Sequence, residues 1–240
     1  MARKFGVVSG DGPSLSAVGT LASTVYDRLR DDIMSGELAP GEKLRVEFLR
    51  ARYGAGTSPI REALNRLSSD GFVVQEDQKG FRVAPVSRDE LIELIKTRCW
   101  IEGVALRESV VNGDLDWEEK IVLAFHRLSR VPKTADPVNE TLNPQWEDLH
   151  RAFHMTLLMA CGSQLLLEFC EQLSDRAKRY RRLAVIVSYP ERNELEEHRD
   201  LMEAMLARDA DKAVALLDTH YQRTGREIEE TATVFAAAGE

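Results

Sequence analysis

His150 and His154, four residues apart, are the first pair in this 240-residue chain whose type and spacing suggest chemistry. On a helix they stand one turn apart on the same side, a spacing that chelates a divalent cation; an ordinary half-buried pair is the alternative for these two alone. His198 and His220 follow, so four of the five histidines fall between positions 150 and 220. Helix-borne imidazoles that converge in a bundle core build a metal site in this way. Hydrolytic use of such an ion is disfavoured. The run His150-Arg151-Ala152-Phe153-His154 lacks the glutamate that serves H-E-x-x-H hydrolases as general base, and no serine or cysteine nucleophile motif accompanies it. The expectation is a protein that is not an enzyme; an ion that is itself the signal is the nearer rival to one that serves as a cofactor.

A second set of residues is suited to phosphates. The chain has 32 Lys+Arg against 40 Asp+Glu, a net charge of -8, which by itself argues against nucleic acid. Counted separately, residues 1–86 hold 12 basic and 11 acidic side chains, and the other 154 hold 20 against 29. The acidity therefore belongs to the C-terminal part. Between positions 45 and 66 stand Arg45, Arg50, Arg52, Arg61 and Arg66 against Glu47 and Glu62, a local net of +3. Neutralising phosphates needs local positive charge rather than a basic whole protein. Thr57-Ser58-Pro59 predicts a hydroxyl N-cap with proline at the first helical position, and hydroxyls beside the free amides of a helix start bind a phosphate. Arg61 and Asn65, four apart on the exposed face of that helix, are side-chain types that address base edges or phosphates.

The elements that must hold these residues follow from periodicity. Residues 1–20 are rich in glycine and serine without an apolar period and are expected to form an arm. Leu21, Val25, Leu29 and Ile33 predict a helix, 46–53 a short second one, and Ile60, Ala63, Leu64 and Leu67 the buried stripe of a third. Two apolar runs, 72–74 and 81–83, flank a polar turn and predict a hairpin. Three helices and a hairpin make a winged helix-turn-helix over 21–86. Ser87-Arg88-Asp89-Glu90 is a capping box. Beyond it, helices are expected near 88–111, 115–130, 144–161, 163–187, 191–207 and 210–235, with no strand pattern. The fold class is therefore mainly α, with an all-α antiparallel helical bundle over 87–240. Cys99, Cys161 and Cys170 form no C-x-x-C, so reduced thiols are expected. No apolar run is long enough to span a membrane, and a cytoplasmic protein is expected.

The run Gly36-Glu37-Leu38-Ala39-Pro40-Gly41, followed by Ser58-Pro59-Ile60-Arg61-Glu62-Ala63-Leu64, resembles the N-terminal domain of GntR-family transcriptional regulators. The resemblance implies a homodimer on a palindromic operator, with Thr57, Ser58 and Arg61 as DNA contacts and Gln78, Lys79 and Gly80 at the wing tip. Thr57 and Glu47 stand where that family usually offers arginines, and Arg45 or Arg50 is the compensating candidate. Phe153-His154, the run from Glu197 to Met205 and His220 are similar to the FCD domain of the FadR subfamily. That likeness implies a divalent metal, commonly zinc or nickel, and a small organic acid as effector. The usual metal ligands there are one aspartate and three histidines, the aspartate four residues before the first histidine. Here that position is His150, which leaves a neutral four-histidine set suited to Zn, Ni or Cu. Asp148 is at best a partner behind the ligands. Arg98 matches an arginine that holds the effector carboxylate, against the alternative of a surface pair with Glu102. The basic run 176–182 is expected to face solvent.

Overall fold

The computed structural model describes residues 20–76, 79–136, 141–184, 192–230 and 235. Helix α1 (Leu21–Ser35) begins at Thr20, whose side chain accepts the Ser23 N–H, and ends at Gly36, whose φ of 83° closes the turn as few other residues could. Strand β1 (Lys43–Leu44), α2 (Val46–Tyr53), α3 (Thr57–Ser69), β2 (Val73–Glu76) and β3 (Gly80–Val83) complete the winged helix. The expected hairpin is the antiparallel pair β2–β3; β1 joins it as a third strand, in the order β1-β3-β2. Periodicity does not reveal β1, because two residues carry no alternation. Gln78 at the wing tip lies outside the described residues.

The start of α3 differs from expectation. Gly56 occupies the cap position without a side-chain bond, so Thr57 is the first helical residue and Pro59 the third. The hydroxyls of Thr57 and Ser58 therefore do not cap the helix. Leu29, Ile33, Leu49, Ile60, Leu64 and Leu67 are fully buried where α1, α2 and α3 meet. Burial of each contributes about 1.5–3 kcal/mol, which fixes α3 against its supports.

The second part comprises α4 (Arg88–Asn112), α5 (Leu115–Ser129), β4 (Thr134–Asp136), β5 (Thr141–Leu142), α6 (Pro144–Leu158), α7 (Gln164–Leu183), α8 (Glu194–Leu206) and α9 (Ala210–Glu230). Half of the expected capping box forms: the Ser87 side chain accepts from Glu90 N–H, but the Ser87 N–H donates to Tyr180 Oη at 3.2 Å, and the Glu90 carboxylate accepts from that hydroxyl instead of from Ser87 N–H. Contrary to expectation, a small antiparallel ribbon, β4–β5, interrupts the helices before α6. Helix α6 starts where expected, behind its Asn143 cap, but ends at Leu158 with a turn at Met159, and α8 is shorter than expected because Asn193 caps its start and Ala207 ends it. The ends expected for the helices at 163–187 and 210–235 fall on residues outside those described, apart from Phe235.

Two hydrophobic clusters result, one of residues 25–83 and one of residues 86–235. Helix α7 joins them. Arg179 Nη2 donates to Ala84 O at 2.5 Å, Tyr180 Oη donates to Glu90 at 2.7 Å, and Arg30 of α1 pairs with Asp175 at 2.7 Å. The turn after α3 uses glycine at 71, whose φ is +79°, and the Arg176 guanidinium of α7 packs over it.

Candidate metal centre and nucleic-acid interface

Helix α6 starts at Pro144 with Asn143 as its cap, and its buried stripe contains Trp146, Glu147, His150, Phe153, His154 and Leu157. The 3.6-residue period turns both histidines inward. Helix α8, capped by Asn193, contributes His198, and α9 contributes His220. The four imidazoles, 2–6% exposed, meet in the core. His154 Nε2 lies 3.2 Å from His150 Nε2 and 3.3 Å from His198 Nε2, and one ligand nitrogen from each of the four falls within 4.8 Å of the others. Two nitrogens held tetrahedrally about 2.0–2.1 Å from one zinc ion stand about 3.3–3.4 Å apart, so the two contacts of His154 match a shared divalent cation and the other rings stand near enough to close on it.

Burial, and then the neighbouring imidazoles, pushes the pKa of His150 and His154 well below 6.5. The same causes bring His198 down to about 3. His220 is lowered by burial although Glu197 opposes the shift. All four rings are thus neutral near pH 7 with lone pairs available, the state in which histidine binds metals.

The surroundings of the cluster revise two expectations. Asp148 is exposed and paired with Lys178 at 3.0 Å, away from the histidines. The carboxylate that does reach a ring is Glu197, whose Oε2 accepts from His220 Nδ1 at 2.8 Å. Its signal in the sequence was only adjacency to His198. Arg98 pairs with Glu102, but inside the core rather than at the surface: Nε to Oε1 is 2.7 Å, with the side chains 5% and 2% exposed. Its guanidinium lies 3.9 Å from the centre of the Tyr221 ring, and Tyr221 Oη donates to Glu102 at 2.5 Å. Burial opposes the Arg98 charge, but Glu102 holds its pKa above the usual value.

The basic run also divides. Arg176 covers Gly71, Arg179 bonds the linker, and Arg181 is buried with no partner for its Nε among the described residues. Burial, partly offset by Glu147, lowers the Arg181 pKa, and its charge reaches His150 and His154. The spacing Cys170, Ser174, Ala177, Arg181, Ala184 alternates four and three, a buried stripe that singles out Arg181 within the run.

A cavity of about 520 Å³ meets the cluster at His198 and Trp146 and is lined also by Lys133, Arg192 and Glu194. That size suits a small ligand. Trp146 stacks on His150 at 4.6 Å between ring centres. Lys133 pairs with Glu194 at 2.6 Å; burial alone would raise that carboxyl, but Lys133 leads the charges that hold it near 2. Arg98 and Arg181 are not among the cavity's lining residues.

On the winged helix, Gly54 with φ 64° makes the turn between α2 and α3. Thr57, Ser58, Arg61 and Asn65 on α3, Arg45 and Arg50 at α2, and Lys79 and Gly80 at the wing are all exposed. The five arginines counted in the sequence do not all remain available. Arg52 is tied to Asp32 at 2.7 Å, and Arg66 lies over the Tyr26 ring at 4.2 Å. Arg45, Arg50 and Arg61 carry the free positive charge beside α3.

The molecule is similar to known proteins over both parts. Residues 21–83 match the model of the bacterial regulatory proteins of the gntR family, and residues 93–223 match the FCD domain. The HTH-type transcriptional regulator BphR of Paraburkholderia xenovorans is 40% identical over 87% of this chain and 85% of its own length. The HTH-type transcriptional repressor GlaR of Escherichia coli is 35% identical over 81% of this chain and 90% of its own. Among solved structures, E. coli McbR/YncC has the same fold, with a TM-score of 0.69 at 22% identity over 89% of this chain and 99% of that one. No helix among the described residues is long and apolar enough to cross a membrane. These relatives are transcriptional regulators and not enzymes, and this chain belongs to the GntR family of transcriptional regulators, its winged helix joined to an FCD domain.

Proposed function

We propose that the chain is a homodimeric repressor that grips a palindromic operator and is released or retained according to a small carboxylate sensed at a divalent metal, zinc or nickel. The observation that carries this reading is the convergence of His150, His154, His198 and His220 on one point at ligand spacing. We take residues 21–86 as the DNA-binding head, 87–240 as the sensor and dimerisation part, and 1–20 as an arm. The two separate hydrophobic clusters support that division. The relative named as a repressor supports the sign of control.

In the head, Arg61 and Asn65 address bases or phosphates, Thr57 and Ser58 a phosphate, Arg45 the backbone near α2, and Lys79 with Gly80 the groove beside the wing. The free hydroxyls of Thr57 and Ser58 and the free amides of α3 suit a phosphate, since no cap competes for them.

In the sensor, a cation held by four neutral rings keeps its full double charge in a buried place. Arg98, Arg182, Lys133 and Arg192 each face a carboxylate, while Arg181 keeps an unpartnered N–H. An anionic ligand entering beside His198 meets both the cation and that excess charge, with Arg181 and Arg98 the cations behind the rings. With all four rings bound, a cation would hold a carboxylate only by expanding beyond four-coordination, where it would supply Lewis acidity; the protein supplies orientation and charge.

Zinc-loaded protein titrated with carboxylates by calorimetry, alongside gel shifts on operator DNA, tests the reading. Expected are one ion per chain, carboxylate binding only when loaded, and operator affinity that follows it. His154→Ala with His220→Ala should lose stoichiometric metal by elemental analysis. Operator affinity that answers to the metal alone would favour a metal-responsive regulator.

A further inference from the structure

We propose that Glu197 is a positioning residue for the metal centre: it fixes the ring of His220 so that Nε2, and not Nδ1, faces the other three imidazoles. The inference rests on the metal reading above and concerns how one ligand is held. Glu197 Oε2 lies 2.8 Å from His220 Nδ1. An ionised carboxylate only accepts, so Nδ1 carries the proton and the lone pair is left on Nε2.

The carboxylate is itself held from both sides. Arg192 reaches Oε2 through Nη2 at 2.7 Å and Oε1 through Nε at 3.1 Å, and Arg223 donates to Oε1 at 2.7 Å. Arg192 is anchored on α9 in turn, by Glu227 at 2.8 Å and Thr224 Oγ1 at 3.1 Å. Arg192 Nη2 also stands 3.2 Å from His220 Nδ1. It would need a lone pair on that nitrogen, and the shorter contact to the carboxylate decides for N–H.

Sequence placement explains the economy of the arrangement. Glu197 and His198 are consecutive on α8, about 100° apart around its axis, so one turn supplies a ligand to the cluster and an anchor to the ligand on the neighbouring helix. Among the described residues no other ring of the four has a carboxylate partner. His154 Nδ1 has only the Tyr221 hydroxyl, 3.5 Å away and already donating to Glu102. A carboxylate behind a ligating imidazole fixes its tautomer and raises its basicity, and loss of such a partner lowers metal affinity about 10–100-fold.

The test uses full-length protein stripped of metal by chelator, as wild type, Glu197→Gln and Glu197→Ala. Imidazole tautomers are assigned by nitrogen-15 NMR, and zinc dissociation constants are obtained by competition with a chelating dye. Expected are the Nδ1–H tautomer for His220 in the wild type and in Glu197→Gln, its loss in Glu197→Ala, and zinc binding about 10-fold weaker for Gln and about 100-fold for Ala. An Nε2–H tautomer for His220 in metal-free wild type overturns the proposal, as does undiminished zinc affinity in Glu197→Gln. Should Glu197→Ala not fold, the wild-type tautomer and the Gln variant still decide. Failure of wild type to bind zinc would overturn the metal reading, while the tautomer separately judges the role of Glu197.

Discussion

Asp175 of α7 holds Arg30 of α1 at 2.7 Å, and its other oxygen lies 3.5 Å from Nε of Arg151, the residue after His150. One carboxylate thus links the helix that bears two of the clustered histidines to the DNA-binding head. The side chains are a fifth to a third exposed, so the pairs contribute at most about 1 kcal/mol to stability. Asp175→Asn should accordingly leave the fold intact but lower the ratio of operator affinities between metal-loaded and metal-free protein. Gel shifts at matched salt measure it. A ratio equal to that of the wild type would show that this carboxylate transmits nothing.

The arginines of the head separate by task. Arg61 is exposed and has no partner among the described residues, whereas Arg52 is spent on Asp32. Arg61→Ala should weaken operator binding by about 1–3 kcal/mol without moving the melting temperature. Arg52→Ala should do the reverse, lowering stability by up to about 1 kcal/mol while binding changes little. Retained affinity in Arg61→Ala would remove α3 from the groove.

These contrasts mark where the sequence was legible. The buried stripes of α1 and α3 and the Ser87 cap were plain, because regular periods and caps are local properties, whereas the return bond of the capping box was displaced by Tyr180 from α7. The histidine cluster was legible as types and spacing, but its closure needed α8 and α9 to pack back on α6. Glu197, Arg181 and the spent arginines were not legible, since each depends on a partner from another element. The cap of α3 failed for a local reason: glycine fills the cap position, and Thr57 lies inside the helix.

Acidification should destabilise the metal-free protein. The folded pKa values of the four clustered histidines are depressed by burial, and His198 falls to about 3. The unfolded chain, with histidines near 6.5, binds more protons below that pH, so stability present above it is lost as pH falls. Each ring still neutral in the folded state contributes a slope of about 1.4 kcal/mol per pH unit. Glu194 acts lower, between the ordinary carboxyl range and about 2. Urea unfolding of metal-free protein at pH 7.5 and 5.5 should therefore give a clearly lower midpoint at 5.5. Equal midpoints would mean that the rings titrate normally.

Arg181 offers the sharpest separation of ligand binding from folding. It is buried, its Nε has no partner among the described residues, and burial lowers its pKa, so its charge is costly to hold in the absence of an anion. Glu147 keeps Arg182 as a partner in any Arg181 variant. Arg181→Met preserves most of the volume and removes the charge, so the melting temperature without ligand should equal or exceed that of the wild type. Zinc content should be unchanged, because the four ligand nitrogens are untouched. The rise in melting temperature that a bound carboxylate gives zinc-loaded wild type should be lost, since that rise follows ligand affinity for the native state. A full ligand-induced rise in Arg181→Met would show that an anion entering at His198 is held without the Arg181 charge, by Lys133 and Arg192, which line that cavity.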